Sequence, residues 1–142
     1  HPEIDAVFGS RELEDSKMLA RQPLIRFVFG TCFLYLARVI LRSWSTTDFT
    51  LGFKMFRRHV AHDVFGHQFD NHYVAEAELV YVTRRRGWRL AELPVAWSDN
   101  SDSRVNRWVE PVRSFSGLLR ILWRDLQGHY ALATDPLSRV SP

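Results

Sequence analysis

The sequence holds a single cysteine, Cys32, so no disulfide can form within the chain. Its place in an apolar run reads as that of a small buried hydrophobe. Lysine is nearly as scarce, with only Lys17 and Lys54, so the net charge of +3 rests on arginine. A membrane-spanning run is missing too. From Leu24 to Trp44 the chain is strongly apolar, but Arg26, Arg38 and Arg42 leave at most eleven uncharged residues in a row, against the roughly 20 that a spanning helix needs. The residues of this chain show no internal repeat or low-complexity tract, and neither a signal peptide nor a targeting motif is read in them. The chain opens at His1 rather than Met, from which a piece of a longer protein is expected.

What is present is the balance of a folded domain, 46% hydrophobic and 25% charged, which argues against disorder. Its 142 residues suffice for one core. Arginine-rich surfaces suit phosphate, because guanidinium is a planar fork of donors that stays charged. Nucleic acids, sugar nucleotides and lipid headgroups all carry phosphate, and charge by itself does not choose among them.

Patterning predicts an alternation of strands and helices. Asp5 to Phe8 reads as a strand that delivers the polar turn Gly9-Ser10-Arg11 at its carboxyl end, where open α/β sheets place ligands. A helix is expected from Pro23, with Leu24, Phe27, Phe29, Phe33, Leu36, Ile40 and Trp44 on a core face or resting on a membrane surface, core being favoured. Leu51 to Phe56 predicts a short strand, Arg57 to Phe65 a brief helix ended by Gly66, and Val74 to Arg86 a helix stopped by Gly87. Trp88 to Trp97 predicts a strand whose Pro94 requires an edge or a bulge. Ser98 to Arg107 is a polar loop, and Val109 to Leu126 an amphipathic helix with Val112, Phe115, Leu119, Leu122 and Trp123 inward. The tail after Gly128 has little pattern, so a domain is expected over residues 1–127 and a tail over 128–142.

Five stretches, in order, resemble the second half of a family 2 glycosyltransferase of the polyprenyl-phosphate type, such as the dolichyl-phosphate glucosyl- and mannosyltransferases. They are Asp5 to Arg11; Arg21 to Gly30; Asp48 with Gly52 to Arg57; Ala75 to Leu79; and Ala91 to Trp97 with Ser103-Arg104-Val105. The resemblance implies the carboxyl-terminal part of a Rossmann-like GT-A domain. The nucleotide-binding half, with its Asp-x-Asp motif and its Mg or Mn ion, would precede His1. It further implies a nucleotide-sugar donor, a polyprenyl phosphate acceptor, inversion at the sugar carbon, and a place at the cytoplasmic face of a membrane.

By that resemblance Arg11, with Ser10 in its turn, contacts acceptor phosphate; one of Arg21 and Arg26 adds a second cation, and Arg104 closes over the donor. Asp48 and Lys54 lie beside the acceptor, Lys54 as a binding cation and Asp48 as a catalytic carboxylate with Glu76, which takes the sugar-contacting or base-like position. This chain departs from the family in having Glu76 for an aspartate and Arg104 for a lysine, changes that keep charge but alter reach. Glu76 and Glu78 diverge by about 200° on a helix, so Glu78 is expected to hold a structural arginine instead.

Transfer to a lipid phosphate needs no strong base, since a phosphate monoester oxygen is already anionic near neutral pH. It does need fixed cations, because two anions must meet. Two other readings compete. Arg84-Arg85-Arg86 with five tryptophans could mark a nucleic-acid-binding module, and an apolar surface could mark an inactive interaction fragment. His59, His62, His67 and His72 with Asp63 and Asp70 crowd one stretch, but no His-Glu-x-x-His spacing appears and no metal site is assigned to this chain.

Overall fold

A computed structural model describes residues 3–18, 24–71, 74–98 and 109–131. Its elements, in order, are β1 (Ala6–Ser10), β2 (Lys17–Met18), α1 (Leu24–Ile40), β3 (Lys54–Phe56), α2 (Arg58–Gly66), α3 (Ala75–Arg85), β4 (Leu90–Pro94), β5 (Ala96–Trp97) and α4 (Val109–Leu126). The expected α/β class is observed, and each strand and helix anticipated within these residues forms close to its predicted place.

β1 is central. It runs parallel to β4, with Phe8 opposite Glu92, and antiparallel to β3, with Phe8 opposite Lys54. After the polar turn the same pair of strands resumes as β2 alongside β5, again parallel, with Lys17 opposite Ala96. Pro94 ends β4 at the sheet's edge, where its missing N–H costs no ladder bond. Ala6 and Phe8 turn one face of β1 into the core, where they join Val60 and Val64 of α2, Ala77 and Val80 of α3, and Leu118 and Ile121 of α4. Gly87 closes α3 at φ 78°, a left-handed conformation in which a side chain would be strained.

Several sequence expectations are corrected here. α1 stops at Ile40, and Arg42 follows with φ 50°. Its buried contacts come from Ala37 and the following Leu41, with Phe33, Leu34 and Ile40 half-buried, whereas Leu24 (78% exposed), Phe27, Phe29, Leu36 and Trp44 face outward. Cys32 is exposed on the same helix. In α4 the expected inward residues Val112, Phe115, Leu119 and Trp123 are exposed, Trp123 by 63%, and Gly117, Leu118 and Ile121 are buried instead. Both helices carry apolar side chains on more than one face, so periodicity alone does not choose the buried one. Gly117 decides it for α4: a Cβ there would stand 2.5 Å from Val74 Cγ2, so the helix backbone closes directly on the start of α3. Tyr130, beyond the end of α4, is fully buried.

Candidate functional site

The parallel pair β1 and β4 ends at one edge of the sheet, and the antiparallel β3 begins there. Backbone groups and side chains released at such an edge are free to converge on a ligand. β1 delivers Ser10 and Arg11, the segment between α1 and β3 crosses with Thr47, Asp48 and Thr50, β3 opens with Lys54, and the first turn of α3 adds Glu76.

Arg11 and Asp48 form a two-pronged pair, with Nε donating to Oδ2 at 2.7 Å and Nη2 to Oδ1 at 3.0 Å. The Arg11 amide also donates to Oδ2 at 3.3 Å, and the Thr50 amide to Oδ1 at 2.9 Å. Arg11 Nη2 reaches Thr50 Oγ1 at 2.5 Å, and the guanidinium lies over the Trp97 ring, 5.6 Å from its centroid. The Asp48 side chain is 4% exposed and that of Arg11 26%. Burial pushes the Asp48 carboxyl upward, but the Arg11 hydrogen bond and charge, with the two backbone donors, outweigh it and hold the group below its ordinary range.

Lys54 and Glu76 form the second pair, Nζ to Oε2 at 2.5 Å. Lys54 also donates to the Leu51 carbonyl and sits over the Phe8 ring at 5.3 Å. Its side chain is 5% exposed, against 39% for Glu76. Burial lowers the Lys54 ammonium below its usual value although Glu76 opposes the shift, and the charges of Asp48 and Arg11 reach it as well. The two ion pairs therefore share one field.

Ser10 is fully buried, and its hydroxyl is bonded to Thr47 Oγ1 at 2.6 Å, so it faces the interior of the turn rather than solvent. Arg21 and Arg104 lie outside the described residues; Arg26 lies in α1, with its side chain outside them. The structure thus brings together Ser10, Arg11, Asp48, Lys54 and Glu76. Sequence reading missed Thr47, Thr50, Glu92 and Trp97 as parts of this cluster. Glu92 and Trp97 did stand inside a quoted motif, but two threonines in a polar turn carry no signal of their own.

Glu78 points the other way, as its spacing from Glu76 requires. Fully buried, it accepts hydrogen bonds from the amides of Phe69 (3.1 Å) and Asp70 (2.6 Å), from Arg124 (3.2 Å) and from the Tyr130 hydroxyl. Burial, reinforced by the bond to Glu78, raises the Tyr130 phenol well above its ordinary pKa. Of the arginine triplet, Arg85 pairs with Asp125 at 2.7 Å and Arg86 with Asp63 at 2.6 Å. Asp63 also accepts from Trp88 Nε1 at 2.6 Å. Among the described residues, no three His, Cys, Asp or Glu side chains gather as a metal site. Asp48 and Glu76 are each engaged by a cation, so the residues described do not fit a resident Mg or Mn ion.

Comparison with known proteins finds relatives. The chain is 33% identical over 122 residues to glycosyltransferase AglD of Haloferax volcanii, covering 86% of this chain and 19% of that protein. It is 32% identical over 100 residues to dolichyl-phosphate beta-glucosyltransferase ALG5C of Trichomonas vaginalis (70% and 29%). It is 24% identical over 128 residues to the dolichyl-phosphate beta-glucosyltransferase of Dictyostelium discoideum (89% and 38%). The chain spans well under half the length of each. No family model and no solved structure matches it. The motif order and these relatives agree: over most of its length the chain is similar to part of glycosyltransferase AglD and of dolichyl-phosphate beta-glucosyltransferases.

Proposed function

We propose that this chain forms the acceptor side of a GT-A glycosyltransferase that moves a sugar, with inversion, from a nucleotide-sugar to a polyprenyl phosphate. The observation that carries this reading is the convergence of two ion pairs, Arg11 with Asp48 and Lys54 with Glu76, at the carboxyl edge of parallel strands. The acceptor oxygen is already anionic, so the work is electrostatic: two cations, each oriented in advance by a carboxylate, offset the repulsion between acceptor phosphate and donor diphosphate. Asp48 holds the Arg11 fork in place, Ser10 braces the turn behind it, and Lys54 adds a partly desolvated charge. Glu76, the more open carboxylate, contacts the sugar. One of Arg21 and Arg26, together with Arg104, supplies further cations around the two phosphates.

A divalent ion would be held by the Asp-x-Asp segment of the nucleotide-binding half, where it would offset charge on the donor diphosphate. Membrane contact is supported by α1 and α4, which pack together and expose Phe27, Tyr35, Leu36, Phe115, Leu119 and Trp123. Among the described residues no helix is long and apolar enough to cross a membrane. In this reading the pair rests on the cytoplasmic surface of the bilayer and brings the strand edge to the lipid phosphate.

The test is to express the complete reading frame that encodes the chain and assay transfer from labelled sugar nucleotides to polyprenyl phosphate. Transfer is expected, with Arg11→Ala reducing it by roughly a hundredfold, as for loss of an oriented electrostatic group. Absence of any sugar transfer to lipid phosphate, or an unaffected Arg11→Ala, overturns the reading.

A further inference from the structure

We infer that Glu92 is the positioning residue that sets Arg11 in its phosphate-binding orientation, acting through Thr47; this rests on the reading of Arg11 given above. Glu92 lies on β4 directly opposite Phe8 of β1, the residue just before the Gly9-Ser10-Arg11 turn. Its two carboxylate oxygens receive the Thr47 amide at 3.0 and 3.1 Å, and Oε2 receives the Thr47 hydroxyl at 2.5 Å.

That last bond fixes the direction of a chain. A threonine hydroxyl has one proton, and a carboxylate can only accept it. The Ser10 hydroxyl, 2.6 Å from Thr47 Oγ1, must therefore donate to Thr47, and Ser10 Oγ in turn accepts the Glu12 amide at 3.2 Å. Donors run in one sense from the turn after β1, through Ser10 and Thr47, to Glu92. The residues at either end of the link are the functional ones: Arg11 lies between Ser10 and Glu12, and Asp48 follows Thr47.

The 46–47 backbone is gripped from its other side as well, where Arg38 of α1 donates to the Thr46 carbonyl at 2.9 Å and the Thr47 carbonyl at 3.5 Å. Arg38 holds carbonyls, which any backbone offers, whereas Glu92 holds the amide and the side chain of one residue. Glu92 thus decides where Asp48 stands, and Asp48 decides where the Arg11 fork points. Glutamine is a poor replacement, because it lacks the charge and its NH₂ group would stand where one of the two oxygens now accepts a Thr47 donor. The hydrogen bonds Glu92 accepts come from Thr47, which precedes Asp48, so its effect on binding is indirect.

The experiment uses the 142-residue chain with geranyl phosphate, a short soluble isoprenyl phosphate, titrated by calorimetry. Solvent exchange of the Arg11 Nε–H is followed by NMR. Glu92→Gln is expected to weaken binding roughly tenfold, about the loss of one charge-assisted hydrogen bond. It should also speed Arg11 Nε–H exchange while the Phe69 and Asp70 amides bound to Glu78 keep their protection. Thr47→Val should do the same, and the double variant should be no worse than either single one, since both act along one path. If Arg11→Ala loses binding and Glu92→Gln does not, the Glu92 assignment falls and the proposed function stands. If Arg11→Ala binds like the unaltered chain, the proposed function fails and Glu92 has nothing to position. Should Glu92→Gln not fold, Thr47→Val carries the test, and unchanged exchange there overturns the assignment.

Discussion

Two carboxylates stand two residues apart on α3 and live in opposite worlds. Glu78 is enclosed, with four donors drawn from the 69–70 segment, α4 and Tyr130, and it ties three parts of the chain together. Glu76 has one strong partner, Lys54, and remains 39% exposed at the sheet edge. Charge and residue type are the same; the number of enclosing donors differs. A fully enclosed carboxylate cannot lose a partner without leaving buried charge, whereas a half-open one can exchange its partner for a ligand.

The sharpest way to break this contrast is Glu78→Ala. It strands Arg124 and the two amides, and a loss of about 3–5 kcal/mol in urea-induced unfolding is expected. An unchanged midpoint would mean the clamp is not structural. Next comes Gly117→Ala, which touches the approach of α4 that brings Arg124 to Glu78. A methyl 2.5 Å from Val74 overpacks the contact, and about 1–3 kcal/mol of destabilisation is expected.

Asp48→Asn sharpens the comparison from the site's side, with an expected cost of about 1–2 kcal/mol near neutral pH, since Arg11 is partly solvated. The pH dependence has a definite sign. Because the folded carboxyl titrates below its ordinary value of 3.8, its stabilisation is complete above that value and is lost as pH falls through the lowered folded one. The stability gap between the wild-type chain and Asp48→Asn should accordingly close in strongly acidic solution and stay constant above it; a gap that widens on acidification would contradict the Arg11 pairing. Smallest in stability is Glu76→Gln, expected to change unfolding by under about 1 kcal/mol because the pair is part-exposed. Sugar transfer by the complete protein should nonetheless fall at least roughly tenfold. Equal losses in both measurements would erase the distinction between the two glutamates.

A second contrast runs between this polar cluster, drawn inward, and the α1 and α4 surface, where apolar residues are turned outward. The polar cluster was partly legible from sequence. Gly9-Ser10-Arg11 at the end of a strand, and carboxylates at the start of a helix, are local signals whose meaning does not depend on distant packing. The Glu76 and Glu78 divergence follows from helical pitch alone. Thr47, Thr50 and Glu92 were not recognised as parts of the cluster, because their roles arise only when the 41–53 segment folds across the strand ends. The outward helices were misread for a related reason. Val112, Phe115, Leu119 and Trp123 make as good a helical stripe as the residues that are buried, and a stripe says nothing of which neighbour it meets.

The order of elements, the strand-end turn, the position of Pro94 at an edge and the kinship with glycosyltransferases were all determined by the sequence, because turn chemistry, proline geometry and residue spacing act over a few positions. The tertiary structure alone decided which face of α4 is buried, that Ser10 looks inward, and that Arg11 meets Asp48 across 37 residues of chain. Those outcomes depend on contacts between segments distant in sequence, and on one close approach at Gly117 that no periodicity announces.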